Sequence, residues 1–183
     1  MPAHTVNPDK EVFISVDIEA SGPIPGEYSM LSIGACDVYR PELAFSCFIK
    51  PISDNAVPEA MAVTGLSMDR LRIDGLKPEV AMTEFSKWVK SVSGSKMPIL
   101  VGLNAPFDWS FVNYYFIHYF GSNPFGFTAL DIKAYFMGRK KCTWRETRSS
   151  NIKLVTGATG TGNHEALQDA RFQAELFRLI RAS

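Results

Sequence analysis

The chain has 183 residues, of which 46% are hydrophobic and 21% charged, with 19 basic and 19 acidic side chains. These values are typical of one globular domain and exclude a disordered chain, a collagen-like chain and a coiled coil. No apolar run reaches the roughly 18 residues of a membrane span, the N-terminus lacks the apolar core of a secretory signal, and three widely spaced cysteines indicate neither disulfides nor zinc. We therefore expect one domain over 1–183, a flexible tail at 1–10, and a cytoplasmic location.

The first third of the chain has the pattern of β-strands followed by a short helix. Three apolar, β-branched segments predict strands, and Pro41 between the second and third favours an antiparallel hairpin. The first segment is continuously apolar, which predicts a central strand. The predicted strands are 12–18, 30–39 and 43–49, and a short helix is predicted over 58–63.

The remainder alternates between helical and strand patterns. Apolar residues recur at helical spacing in three segments, the second of which is opened by Pro106. The pattern predicts helices over 78–92, from 106 and over 165–181, a helix beginning at 133–137, and short strands at 98–103 and 127–132. Residues 138–163 are polar, basic and then glycine-rich, and no long element is predicted there. The order indicates an α/β fold: a mixed twisted sheet of about five strands flanked by helices.

The charges are unevenly distributed along the chain. Residues 1–60 hold nine acids and three bases, and the rest carries the compensating positive charge. Residues 139–153 hold six bases and one acid. This asymmetry would suit an anionic partner, although on charge alone a solvated loop is the more ordinary explanation.

Three acids are placed where strands end. Asp17 and Glu19 stand two residues apart on the first predicted strand, so both side chains lie on one face, about 6–7 Å apart. Asp108 lies in the first turn of the helix that follows a buried strand, where the helix dipole also favours an acid. Ligands of open α/β sheets bind at the carboxyl ends of strands, so these acids are candidates for a site.

A fourth acid, Asp169, lies on or beside the apolar stripe of the last helix. An isolated carboxylate there is costly unless a cation or other acids explain it. Four carboxylates suit two Mg²⁺ or Mn²⁺ ions rather than zinc, and two such ions can promote an in-line phosphoryl displacement. His164, five residues before Asp169, is either a surface or capping histidine or a group that takes a proton from water.

Three segments carrying these residues resemble the motifs of DEDDh exonucleases, the superfamily of proofreading and RNase T-like 3′–5′ exonucleases. They are DIEASG at 17–22, NAPFD at 104–108 and HEALQDA at 164–170. Each segment alone is weak, but the three occur in the family's order and spacing. A sister subgroup has tyrosine four residues before the last aspartate; here that residue is Glu165, and the histidine stands five before it.

The resemblance implies an RNase H-like fold over the single domain and 3′–5′ hydrolysis of single-stranded DNA or RNA to nucleoside 5′-monophosphates. It implies that His164 is the general base and that Asp17 bridges two Mg²⁺ or Mn²⁺ ions. The implied metal ligands are Asp17, Glu19, Asp108 and Asp169, and the implied substrate-binding residues are Ala20, Ser21, Asn104 and Phe107. The implied partner is the 3′ end of a single nucleic-acid strand, and no association with a membrane is expected. Whether the protein also forms a homodimer or binds a polymerase is left open.

Other functions remain alternatives. A silent module could bind nucleic acid or protein on the same fold, and an endonuclease could use the same chemistry. The glycines at 157–162 precede a helix, as in loops that bind phosphate. Their spacing is G-x-x-G-x-G, the reverse of the G-x-G-x-x-G fingerprint, which argues against a dinucleotide site. Tyr28, Phe107, Trp109 and Trp144 are candidates for stacking on bases, although most aromatic residues must fill the core.

Overall fold

A five-stranded mixed sheet forms the centre of the molecule in the computed structural model, which describes residues 10–183. Its strand order is β3-β2-β1-β4-β5; β1, β2 and β3 are antiparallel neighbours, whereas β4 is parallel to both β1 and β5. The strands are β1 (Glu11–Ala20), β2 (Met30–Asp37), β3 (Ala44–Phe48), β4 (Met97–Gly102) and β5 (Leu130–Asp131). The predicted mixed sheet of about five strands is confirmed, whereas the predicted tail at 1–10 falls almost wholly outside the described residues.

Helices cover both faces of the sheet. One core lies between β1 and the pair α3 and α4, and a second lies between the sheet and α5, α6 and α7. The helices are α1 (Pro58–Thr64), α2 (Met68–Asp74), α3 (Pro78–Ser93), α4 (Ala105–Tyr119), α5 (Ile132–Lys140), α6 (Ser149–Thr156) and α7 (Ala166–Ala182), with a 3₁₀ helix at Trp144–Thr147. None of the helices within residues 10–183 is long and apolar enough to cross a membrane.

Two predictions about secondary structure are wrong. The segment 138–163 contains a 3₁₀ helix and α6, because Thr143 and Glu146 form a capping box and Ile152 is fully buried in the second core. The strand expected over 127–132 is only two residues long, and Phe127 before it is almost fully exposed. Helix α2 was not predicted; Ser67 caps its first turn.

Alternation along β1 decides which way its acids point. Ile14, Val16 and Ile18 belong to the core beneath α3 and α4. Successive side chains of a strand point to opposite faces, so Asp17 and Glu19 point to the face covered by α7. Because β1 and β4 are parallel, the end of β1 that carries these acids lies beside the turn from β4 into α4.

Candidate active site

The Asp108 side chain is hydrogen-bonded to the backbone near the end of β1. Asn104 adopts a left-handed conformation in the turn after β4, and α4 then starts at Ala105. The buried Asp108 carboxylate accepts a hydrogen bond from the Ile18 N–H at 3.1 Å. This bond places Asp108 beside the backbone between Asp17 and Glu19.

Asp169 organises the segment that carries His164. Its two carboxylate oxygens accept hydrogen bonds from the Asn163 N–H at 2.8 Å and the His164 N–H at 3.0 Å. His164 has a left-handed backbone with φ of 62°, a conformation in which histidine is more common than most residues. A Cβ at Gly162 would lie 2.8 Å from the Asp169 carboxylate, so a side chain at this position would displace that carboxylate.

Gly34 allows α7 to approach the sheet at the site. Gly34 is paired with Asp17 across β1 and β2. A Cβ at Gly34 would lie 2.2 Å from the Leu167 backbone nitrogen, which is too close for any side chain to fit. The missing side chain therefore lets the first turn of α7, which carries Asp169, pack beside Asp17.

One cavity of about 410 Å³ gathers most of the residues singled out in the sequence. Glu19, His164 and Asp169 also each offer a ligand atom within 4.8 Å of the others. The predicted site residues that line the cavity are Asp17, Glu19, Asn104, Phe107, Asp108, His164 and Asp169.

Ala20 and Ser21 are not among the residues lining this cavity, and both are buried. The Ser21 N–H donates to the Ser29 carbonyl, and the Ser21 carbonyl accepts from the Val57 N–H. The structure therefore leaves no free backbone donor or acceptor at Ser21.

Burial and mutual repulsion raise the pKa values of three carboxyls at the site. Burial, with Asp108, Asp169 and Glu19 nearby, raises the pKa of Asp17 well above its usual value, although a hydrogen bond from Gln173 lowers it. Burial and Asp169 raise the pKa of Glu19 to about 7. Burial raises the pKa of Asp108 to about 7, against the lowering effect of the Ile18 N–H.

The donor set fits hard divalent cations. Within residues 10–183, none of the four carboxylates forms an ion pair with a basic side chain. All four offer oxygen, the ligand that Mg²⁺ and Mn²⁺ prefer. Repelling buried carboxylates without a protein cation are stabilised in the charged form when divalent ions bind between them.

Sequence reasoning missed six residues of the cavity: Ile18, Leu103, Ser149, Gly162, Phe172 and Gln173. The Gln173 side chain donates from Nε2 to Asp17, and its Oε1 accepts from the Leu103 N–H at 2.9 Å. Gln173 thus links α7 to β1 and to the end of β4. Its position four residues after Asp169, on the same helical stripe, is the signal that could have identified it.

The glycine-rich segment does not form a phosphate-binding loop. The N–H groups of Thr159 and Gly160 donate to the Glu175 carboxylate, at 2.9 Å each. The Lys153 ammonium donates to the carbonyls of Thr159 and Gly160. Backbone donors that a phosphate would need are therefore already bonded to an acid.

Comparisons with known proteins agree with this geometry. Residues 14–177 match the RNase_T family, described as "Exonuclease". The chain is 57% identical over 173 residues to an Escherichia coli protein named 3′-5′ DNA exonuclease Cap18, covering 94% of this chain and 92% of that protein.

Solved structures of exonucleases have the same fold. The nuclease domain of 3′hExo, described as a DEDDh family member bound to rAMP, matches with a TM-score of 0.74 at 14% identity, over 94% of this chain and 92% of that domain. Escherichia coli Exonuclease I in complex with a dT13 oligonucleotide matches with a TM-score of 0.71 at 16% identity, over 93% of this chain and 41% of that one. The expected RNase H-like fold is confirmed by these matches.

Proposed function

This chain belongs to the RNase T family, as a 3′–5′ exonuclease of the DEDDh type, and we propose that it hydrolyses the 3′ end of single-stranded DNA. The observation that carries the proposal is the gathering of four carboxylates and His164 around one cavity without a protein cation. The choice of DNA rests on the name of the 57%-identical relative.

Asp17, Glu19, Asp108 and Asp169 are the residues that would hold two divalent ions, Mg²⁺ or Mn²⁺. When bound, such ions supply positive charge opposite the attacking and leaving oxygens of the phosphodiester. Gln173 keeps the Asp17 carboxylate oriented through its hydrogen bond. Asp169 holds the His164 segment at the cavity through the two backbone N–H groups described above.

His164 would act as the general base. Its imidazole takes a proton from a water molecule, the water oxygen forms a bond to the terminal phosphorus, and the bond from phosphorus to the preceding 3′ oxygen breaks. The released 3′ oxygen takes up a proton from solvent, and the products are a nucleoside 5′-monophosphate and a strand with a new 3′ hydroxyl. The exposed position of His164 at the cavity leaves its ring free of hydrogen bonds to other described residues.

The terminal nucleotide would lie between the segments 17–22 and 104–108. Asn104 and the partly exposed Phe107 line the cavity on the side of α4. Phe107 packs against Phe111 with ring centroids 5.3 Å apart, which supports its ring from behind. Ala20 and Ser21 lie behind the opposite side of the cavity and do not line it, so their proposed contact with the nucleotide would require it to reach beyond the cavity.

The partner proposed is the nucleic-acid strand alone. Nothing within residues 10–183 supports a homodimer or a polymerase partner, and the cytoplasmic location stays a prediction.

The test uses single-stranded DNA and RNA labelled at the 3′ or 5′ end, with Mg²⁺, Mn²⁺ or EDTA. We expect a metal-dependent ladder that shortens from the 3′ end, with DNA degraded faster than RNA. Asp17→Ala should abolish it, whereas Asp69→Ala, which removes an exposed acid of α2, should not. Equal cleavage of RNA would contradict the DNA preference, and cleavage of a circular strand would indicate an endonuclease.

The general base is tested separately. His164→Asn should lower the rate about 10²–10⁴-fold while leaving divalent-metal binding in place, because the proton acceptor is removed and the carboxylates are kept. Metal binding is measured by calorimetry and the rate by single-turnover cleavage. A wild-type rate in this variant would overturn the role of His164.

A further inference from the structure

A basic surface begins at the rim of the carboxylate cavity. We define the basic arm as residues 139–153, which comprise the end of α5, the 3₁₀ helix and the first part of α6. Ser149, at the start of α6, lines the same cavity as the four carboxylates. Asp131, which caps α5, is close enough to Asp108 to raise its pKa. Helix α6, which carries the last part of the arm, therefore starts at the site.

Four cations of the arm are exposed and form no ion pair within residues 10–183. They are Lys140, Lys141, Arg145 and Arg148.

The other charges of the arm are already bonded. Arg139 donates to the Ser183 carbonyl and Lys153 to carbonyls of the glycine-rich segment. The one acid, Glu146, is bonded to Thr143 in the capping box. The arm carries six bases and one acid, so its net charge is positive.

Three arginines elsewhere on the surface are paired with acids. Arg40 is paired with Asp37, Arg70 with Asp74, and Arg72 with both Asp54 and Asp69. Unneutralised cations repel one another, and an anion that binds along them relieves this repulsion.

Trp144 adds a flat apolar surface to the arm. Its side chain is 51% exposed, and the Lys133 ammonium lies 4.2 Å from the centre of its ring. This contact lies between the 3₁₀ helix and the first turn of α5. An exposed indole bordered by cations can stack on a base of a single strand, whatever the base.

We propose that the basic arm binds the part of a single-stranded substrate that lies on the 5′ side of the scissile bond. Arg145, Arg148 and the lysines contact its phosphates, and Trp144 stacks on one of its bases. The carboxylates of the cavity repel a polyanion, so a bound strand needs positive charge beside the cavity. The arm carries that charge and adjoins the cavity at Ser149, which favours a nucleic-acid strand as its ligand. The inference rests on the proposed function and adds a second region to the substrate site.

The experiment compares long and short substrates. For wild-type protein and variants, kcat/KM is measured on single-stranded DNA of 3 and 12 nucleotides at several salt concentrations. Arg145→Gln with Arg148→Gln should lower the preference for the 12-mer about tenfold. It should also reduce the slope of log(kcat/KM) against log[salt] by about 1.4, as expected for two lost phosphate contacts on a single strand.

Lys77→Gln with Lys90→Gln is the matched control. It removes the same charge from exposed lysines at α3, on the opposite face of the sheet. This double variant should keep the wild-type length preference and salt slope. Melting temperatures of both double variants should match the wild type, because all four side chains are exposed.

Trp144 is tested with two substitutions. Trp144→Ala should lower the length preference about tenfold, and Trp144→Phe should recover most of it, because phenylalanine still offers a stacking surface. A structural role alone would instead lower the melting temperature and the activity on both substrates equally.

Equilibrium binding of a fluorescent 12-mer in EDTA gives a readout that does not need the chemistry. Weaker binding in the arm variants than in the control supports the arm whether or not the wild type cleaves DNA. Unchanged binding, length preference and salt slope in the arm variants would overturn the inference, even where 3′-end cleavage is observed. Cleavage absent in the wild type would instead contradict the proposed function.

Discussion

One buried acid lies toward one end of the sheet and three acids lie toward the other, and they differ in their partners. Asp37, at the end of β2, accepts bonds at Oδ1 from the backbone N–H groups of Tyr39 and Arg40 and at Oδ2 from two nitrogens of the Arg40 guanidinium. Asp17, Glu19 and Asp108 have no basic partner within residues 10–183, and burial raises their pKa values. Asp37 is therefore paired with a cation of the protein, whereas the other three acids have none within residues 10–183 and are proposed to hold metal.

The difference separates a structural acid from a functional one. A buried charge contributes to the fold when its partners are part of the protein, as at Asp37. Carboxylates that repel one another in a cavity destabilise the fold and are explained only by what binds there. The contrast can be tested because removing charge at the two ends should change stability in opposite directions.

The largest effect is expected at Asp108. Asp108→Asn keeps an oxygen that can accept the Ile18 N–H but removes a charge proposed to hold metal. We expect exonuclease activity to fall by about 10³-fold, since metal catalysis is worth several kcal/mol and each 1.36 kcal/mol is tenfold in rate. In EDTA at pH 8 the variant should melt at a higher temperature than the wild type. A lower melting temperature would contradict the interpretation of Asp108 as an uncompensated charge.

The second effect concerns the packing that brings Asp169 to Asp17. In Gly34→Ala the new Cβ would meet the backbone of Leu167 and displace the start of α7. A displacement of about 1 Å costs about 10²-fold in rate, so we expect a loss of that order in kcat/KM. Gly138→Ala is the control, because a Cβ at Gly138 meets nothing within 4 Å. Equal activity in the two variants would show that the close contact is not required.

The third prediction concerns the other end of the sheet. Asp37→Asn removes the charge that Arg40 binds and should lower the free energy of unfolding by about 2 kcal/mol. Chemical denaturation measures this loss, and kcat/KM should stay within about twofold of the wild type because Asp37 lies away from the cavity. A loss of activity without a loss of stability would refute the division between the two ends.

The smallest effect is the pH dependence of metal-free stability. With the pKa of Glu19 and Asp108 raised to about 7, the folded protein keeps protons that the unfolded chain releases at lower pH. The free energy of unfolding should therefore decrease as pH rises from about 4.5 to about 7. Thermal unfolding in EDTA should show this decrease as a lower melting temperature at pH 7 than at pH 4.5. Asp108→Asn should show a shallower decrease, and an increase with pH in the wild type would contradict the assigned pKa shifts.

Much of the fold could be predicted because local patterns and tertiary packing agree. The apolar run of β1 and the helical spacing of α3 and α7 each lead to the element that the structure contains. The prediction failed where an element has little apolar surface of its own. Helix α6 has one fully buried residue, Ile152, and β5 is two residues long, so neither leaves a strong periodic pattern.

The candidate site divides in the same way. Asp17, Glu19 and Asp108 were found because the ends of strands and the start of a helix are readable from local sequence. Gln173 was missed as a partner of Asp17, since the two residues are 156 positions apart and only packing brings them together. The lack of free backbone groups at Ser21 also follows from distant partners, Ser29 and Val57.

The sequence by itself determined the chemistry of the site: four carboxylates and a histidine at the spacing of three motifs, on elements whose type their local pattern predicts. Only the tertiary structure decided the distances between those elements. Gly34 sets how closely α7 lies on β2, Gln173 links three elements, and the start of α6 brings the basic arm to the cavity. The physical reason is that spacing along a chain determines the face on which a side chain lies, whereas the separation of distant residues depends on how complete layers pack.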